Sequence, residues 1–131
     1  MKRSFILLIT LTLVIAGCAQ DSSDPKAPAN AVEKYLEARI SKDAEAFQGT
    51  FCADFEFDAL TEFDSFGAVE SSLEDMTCEV SDLSEGSATV TCTGSVTVIY
   101  DGEDSNTLDL ARFSYVATQE DGEWKMCGYG S

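Results

Sequence analysis

No residue in this 131-residue chain is a histidine, so general acid-base chemistry would fall to carboxylates and phenols. Twenty-four Asp and Glu residues are present, too many for composition alone to single one out. A buried carboxyl beside a tyrosine could do proton transfer if burial raised its proton affinity toward neutrality. Tyr35, Tyr115 and Trp124 are the aromatic residues with a polar tip that suit the wall of a small apolar-ligand pocket. Plain core packing accounts for the same three residues. Arg112, a rare cation set in a strand-like pattern, is expected to meet a carboxylate. Asp101-Gly102-Glu103-Asp104-Ser105-Asn106 gathers oxygen ligands, but their order does not match an EF-hand loop. Those residue types are also the usual turn formers, and a solvated turn is expected there. Neither a metal nor a cofactor is expected.

The cysteines carry clearer chemistry. Met1-Lys2-Arg3 is followed by FILLITLTLVIA (Phe5 to Ala16), twelve residues without a charge. A membrane-crossing helix needs about 20 apolar residues, so the run fits the h-region of a secretory signal. Ile15-Ala16-Gly17-Cys18 resembles a lipobox, which implies cleavage before Cys18 and fatty chains, palmitate among them, on that residue. Two or more chains anchor stably to a bilayer where one does not. Residues 1–17 are thus expected to be a leader, and the protein is expected to sit in the cell envelope. Ala19 after the cysteine favours the outer membrane, facing the periplasm where the host has one. Residues 18–30 (CAQDSSDPKAPAN) are small and polar, hold both prolines, and read as a flexible tether.

Export also sets the redox context of the other four cysteines. Without histidine or a CxxC spacing, zinc is a poor fit for Cys52, Cys78, Cys92 and Cys127. Two disulfides are expected instead. The alternating stretches Met76 to Val80 and Ala88 to Cys92 flank Ser84-Glu85-Gly86-Ser87 as arms of a hairpin. Cys78 and Cys92 are equidistant from Glu85, so a symmetric hairpin sets them opposite each other. Cys52 with Cys127 follows by elimination.

Loss of Lys2 and Arg3 with the leader leaves six basic residues against twenty-four acidic ones, a formal charge of minus eighteen. A field of that sign repels phosphate backbones and anionic lipid, which excludes nucleic acid as a partner and leaves membrane attachment to the acyl chains. An acidic face also suits a saline exterior or a basic partner protein.

The elements that must position these residues begin at residue 31. Val32, Tyr35, Leu36, Arg39 and Ile40 recur at spacings of three and four, predicting an amphipathic helix over 31–42. Asp43 is a suitable N-cap for a second short helix reaching Phe51. From Phe51 to Phe66 aromatics alternate with acids, and a third helix and short strands fit equally well. Strands are predicted at 75–82, 88–100, 107–118 and 123–128, with Val90, Cys92, Gly94, Val96 and Val98 on one face of the second. Gly94 marks a bulge or bend there. Helices followed by an antiparallel meander make a single α+β domain over 31–131.

AVEKYLEARISKDAEAF (Ala31 to Phe47), the long strands, and DGEWKMCG (Asp121 to Gly128), with Trp124 just after a glycine turn, resemble small lipoproteins of the nuclear transport factor 2-like superfamily. The resemblance covers about residues 30–128 and implies a cone, a strongly curved antiparallel sheet wrapped round the N-terminal helices. Enzymes of that superfamily, such as ketosteroid isomerases and polyketide cyclases, place Asp, Tyr or His in the cone, and no position here maps onto their catalytic carboxylates. A noncatalytic domain that binds a small apolar ligand or an envelope protein is therefore expected. An isomerase or dehydratase using a buried Asp and Tyr is the first alternative, and a structural or inhibitory partner protein the second.

Overall fold

A computed structural model describes residues 23–131. The leader, Cys18 and the first part of the tether lie outside the described residues. Helices α1 (Ala27–Ser41), α2 (Ala44–Phe47) and α3 (Glu56–Gly67) precede five strands, β1 (Glu70–Ser84), β2 (Ser87–Tyr100), β3 (Asp104–Asp109), β4 (Ser114–Glu120) and β5 (Glu123–Tyr129). None of the described helices is long and apolar enough to cross a membrane.

Helix α1 starts at Ala27, four residues ahead of the start read from the sequence. Pro28 falls in its first turn, where no N–H is needed from it, and Ala27, Pro28 and Ala29 are buried. The helix ends at Lys42, whose left-handed backbone closes it through bonds to Ala38 and Arg39. Asp43 then caps α2 by accepting from the Ala46 N–H at 2.9 Å. The short helix stops at Phe47, earlier than expected. The undecided stretch after Phe51 forms a 3-10 turn, Ala53–Phe55, and then α3.

All strands belong to one antiparallel sheet in the order β1-β2-β4-β5, with β3 also on β2. The strand expected over 107–118 is two. β4 pairs with the first half of β2, Ser87 to Thr91, and β3 with the second half, Ser95 to Tyr100. Between them Leu110–Arg112 makes a 3-10 turn, fixed by the Asp109 carboxylate accepting from the Ala111 N–H at 2.9 Å. The cause lies across the sheet. Asp75 and Met76 of β1 oppose Gly94 of β2, a bulge that bends both strands, so a partner following β2 must break at the same level. Arg112 accordingly lies exposed in that turn and not in a strand, and pairs with no carboxylate among the described residues. The acidic turn is also shorter than expected: Asp101 to Glu103 turn, whereas Asn106 already pairs with Val98 in the sheet.

The bent sheet curls round α1, and the core fills the hollow between them. Val32, Tyr35 and Leu36 of α1 meet Val90, Val96, Leu110, Tyr115, Ala117 and Met126 of the sheet side, all at most 1 % exposed. Two covalent links close the structure. Cys78 and Cys92 are joined across the β1–β2 ladder, and Cys52 is joined to Cys127 of β5. Beside the second link, Phe51 bridges Met126, and the Cys52 N–H donates to the Met126 carbonyl at 2.9 Å. The architecture is α+β, helices packed against a strongly curled half-barrel.

Candidate functional site

Tyr35 and Arg39 are four residues apart, so α1 presents them one above the other on its sheet-facing side. Opposite stands a cross-strand pair, Tyr115 at the start of β4 and Tyr129 at the end of β5, with ring centroids 5.6 Å apart. Glu62 of α3 completes the group. Its Oε2 accepts from the Tyr35 hydroxyl at 2.7 Å, from the Tyr129 hydroxyl at 2.8 Å, and from Arg39 Nη1. Arg39 Nη1 also donates to the Tyr129 oxygen at 3.1 Å. The arginine is 6 % exposed and is the sole charged residue fully inside the core among the described residues. Its guanidinium lies 5.0 Å from the Phe66 ring centre and 5.4 Å from that of Tyr35.

A buried guanidinium is tolerable when it is paired and hydrogen-bonded. Burial works against the charge on Arg39, but the Tyr129, Glu62 and Tyr35 oxygens more than offset it, and its proton is held more tightly than usual. Burial also lifts the phenols. The Tyr35 hydroxyl is raised well above the ordinary phenol range, first by desolvation and then by its bond to Glu62. Tyr129 is raised by desolvation, with the Glu62 charge adding to it against the pull of Arg39. Tyr115 is pushed up to about 12 by burial, again with Arg39 opposing. All three are neutral hydrogen-bond donors near pH 7, not bases.

The cluster is not sealed. The Glu62 side chain is 26 % exposed and Tyr129 is 41 % exposed. The solvent-facing Phe113 packs against Tyr129 with tilted rings 6.0 Å apart, and the buried Phe55 meets it edge-on at 6.1 Å, so the exposed end of the cluster has aromatic surroundings. One donor inside is idle: Arg39 Nε is buried and has no hydrogen-bond partner among the described residues. Such orphans are uncommon in folded proteins.

Of the three pocket residues expected from the sequence, Tyr35 and Tyr115 face this cluster. Trp124 does not. It is half-buried on β5 opposite Gln119, packed on the core and five residues from Tyr129, about 17 Å along an extended strand. Two surface clefts, of about 340 and 310 Å³, flank the outer side of α1 around Glu37 and Ser41. Tyr35, Tyr115 and Trp124 line neither. The carboxylate beside the tyrosines is a glutamate, Glu62, not the buried aspartate of the enzyme alternative; no Asp is among the buried described residues. Glu62 and Tyr129 escaped the sequence reading. A signal existed, since Phe55, Ala59, Glu62 and Phe66 share one helical stripe, and an acid in an apolar stripe needs a partner.

Solved structures resemble this arrangement of helices and sheet. A candidate dehydratase of the NTF2-like family from Streptomyces avermitilis superposes with a TM-score of 0.56 at 12% identity, covering 83% of this chain and 98% of that one. A candidate ketosteroid isomerase from Shewanella frigidimarina gives 0.52 at 14% identity, over 76% and 90% of the two chains. A SEC-C motif containing protein from Rhodopseudomonas palustris gives 0.52 at 12% identity, over 82% and 80%. The fold is nuclear transport factor 2-like. No family model matches the sequence, and no curated protein matches it. In this fold the Arg39–Glu62 group lies where α1, α3 and the ends of β4 and β5 meet, at one end of the cone.

Proposed function

We propose that this chain is a lipid-anchored envelope protein that binds a small apolar ligand at the partly exposed Glu62–Tyr129 end of its filled cone and does not transform it. One observation carries the noncatalytic part. The donors at the site converge on a single oxygen, Glu62 Oε2, which already accepts from Tyr35, Tyr129 and Arg39. A catalytic base needs a lone pair in reach of a substrate proton, and a catalytic acid needs a proton not committed elsewhere. Here the Tyr35 and Tyr129 protons are committed to Glu62 Oε2, and Oε1 is the one carboxylate oxygen of the site that receives no donor among the described residues. The aromatic surroundings of Phe55, Phe113 and Tyr129 support a ligand with an apolar body.

Thermal-shift screening of the full chain against metabolites and envelope extracts, followed by mass spectrometry of each hit, tests this. Ligands recovered unchanged are expected; a hit that is converted to product refutes it. Anchoring rests on the sequence of residues 1–18 alone. Mass spectrometry of protein from its native host should find acyl chains on an N-terminal Cys18, and an unmodified thiol or a retained leader would overturn that part.

The second reading is an isomerase or dehydratase. The partial exposure of Glu62 beside Tyr129 and the two candidate enzymes among the similar structures favour it. Its prediction is opposite, since turnover must vanish in Glu62→Gln.

A further inference from the structure

Three features of the cone's end have no role in a merely structural ion pair. Tyr35, Tyr129 and Arg39 converge on one carboxylate oxygen from two elements, which is the donor set of a carboxylate receptor. Arg39 Nε, nine-tenths buried with the rest of the side chain, is left without a partner while Glu62 engages Nη1. A guanidinium normally holds a carboxylate through two parallel N–H groups, and Glu62 draws on only one. Finally, the helix that delivers Glu62 is thinly embedded. Of the twelve residues of α3 only Ala59 is buried, Phe57 is 81 % exposed, and Phe63 and Phe66 are partly covered. Elements with so few buried contacts open locally at low free energy.

We propose that Glu62 is a resident stand-in for the carboxylate of the natural ligand, and that lifting α3 withdraws it so that a monocarboxylate with an apolar, planar body takes its seat on Arg39, Tyr35 and Tyr129. This rests on the ligand-binding reading above and names the ligand class. In the exchanged state the incoming carboxylate takes up the idle Nε–H together with a neighbouring N–H of the fork. Its apolar body then lies on the rings of Tyr129 and Phe113, which α3 does not carry with it. The charge of the chain narrows the class further. With twenty-four acids against six bases once the leader is removed, the chain repels phosphates and polycarboxylates, whereas a single carboxylate meets the buried Arg39 with least repulsion.

The test is calorimetric titration of the full chain in nonionic micelles, with micelles alone as the blank. The probes are 2-naphthoate and its neutral analogue 2-naphthalenemethanol. Glu62→Ala removes the internal competitor, so naphthoate should bind it at least about tenfold more tightly than the unsubstituted chain, with the alcohol unchanged. Adding Tyr129→Phe, at an exposed position, should weaken naphthoate several-fold again. Should Glu62→Ala fail to fold, Glu62→Gln keeps the shape without the charge and must give the same ranking. If the alcohol binds and naphthoate gains nothing from either substitution, ligand binding stands and the carboxylate inference is overturned. If neither probe binds any of these proteins, both readings fall.

Discussion

Replacing Gly94 with alanine should be among the most damaging single-methyl additions this domain can receive. The backbone there has φ of 102°, a region costing a non-glycine residue about 1–3 kcal/mol. A Cβ would also stand 2.6 Å from the Glu74 carbonyl oxygen and 2.7 Å from that of Asp75. Both are backbone atoms of the bulged strand and cannot rotate aside, so overpacking adds about 1–3 kcal/mol. The sum is about 2–6 kcal/mol, centred on about 4. Urea unfolding followed by near-ultraviolet circular dichroism reads it directly, because for a slope of about 2 kcal/mol/M the midpoint falls by about 2 M. Gly86→Ala is the internal control. Its φ is 73° and the space around it is open, so only the conformational cost of about 1–2 kcal/mol applies. If the two variants unfold at the same midpoint, the close approach of β1 to β2 at the bulge is wrong, and with it the explanation of the sheet's curl.

Three further outcomes follow from the site and the staples. Glu62→Ala leaves Arg39 charged inside the core and should cost about 2–4 kcal/mol in the same assay, whereas Arg39→Met with Glu62→Leu should recover most of that loss; equal stability of the single and double variants contradicts the pairing. Tyr115, with its folded-state pKa at about 12 against an ordinary 10, contributes stability that is intact below pH 10 and disappears as the pH rises toward 12, about 3 kcal/mol in all. Tyr35 and Tyr129 act in the same direction, so unfolding midpoints should drop steeply over that interval and less so in Tyr115→Phe. Converting Cys52 and Cys127 to serine opens a loop of 75 residues and should remove about 4 kcal/mol, measured as a fall in the thermal midpoint.

Periodicity made much of the fold readable. The stripe of Val32, Tyr35, Leu36, Arg39 and Ile40 specified α1, and the alternation on either side of Glu85 specified the β1–β2 hairpin. Both patterns are local and repeat within one element. What stayed hidden was imposed from a distance. Nothing within 107–118 says that the chain must break at Leu110; the reason is the bulge at Asp75 and Met76, on the far side of β2. Between Phe51 and Phe66 the aromatic-acid alternation satisfies helical and extended spacing at once, and only packing on α1 and β5 decides. Likewise Glu62 is one acid of twenty-four until Arg39 and Tyr129, residues far from it in sequence, are seen to close on it. Arg39 itself stood in the apolar stripe of α1, and a cation at a core position was a second visible hint of a buried partner.

The link between Cys52 and Cys127 spans most of the described residues and so has a bearing on resistance to proteolysis. A protease that nicks the thinly covered α3, or any turn between those two residues, severs the backbone but frees no fragment. The upstream piece keeps hold of β5 through sulfur, so the two pieces stay together. A cleaved molecule would migrate as intact until a reductant is added, and its strands would have no route of escape.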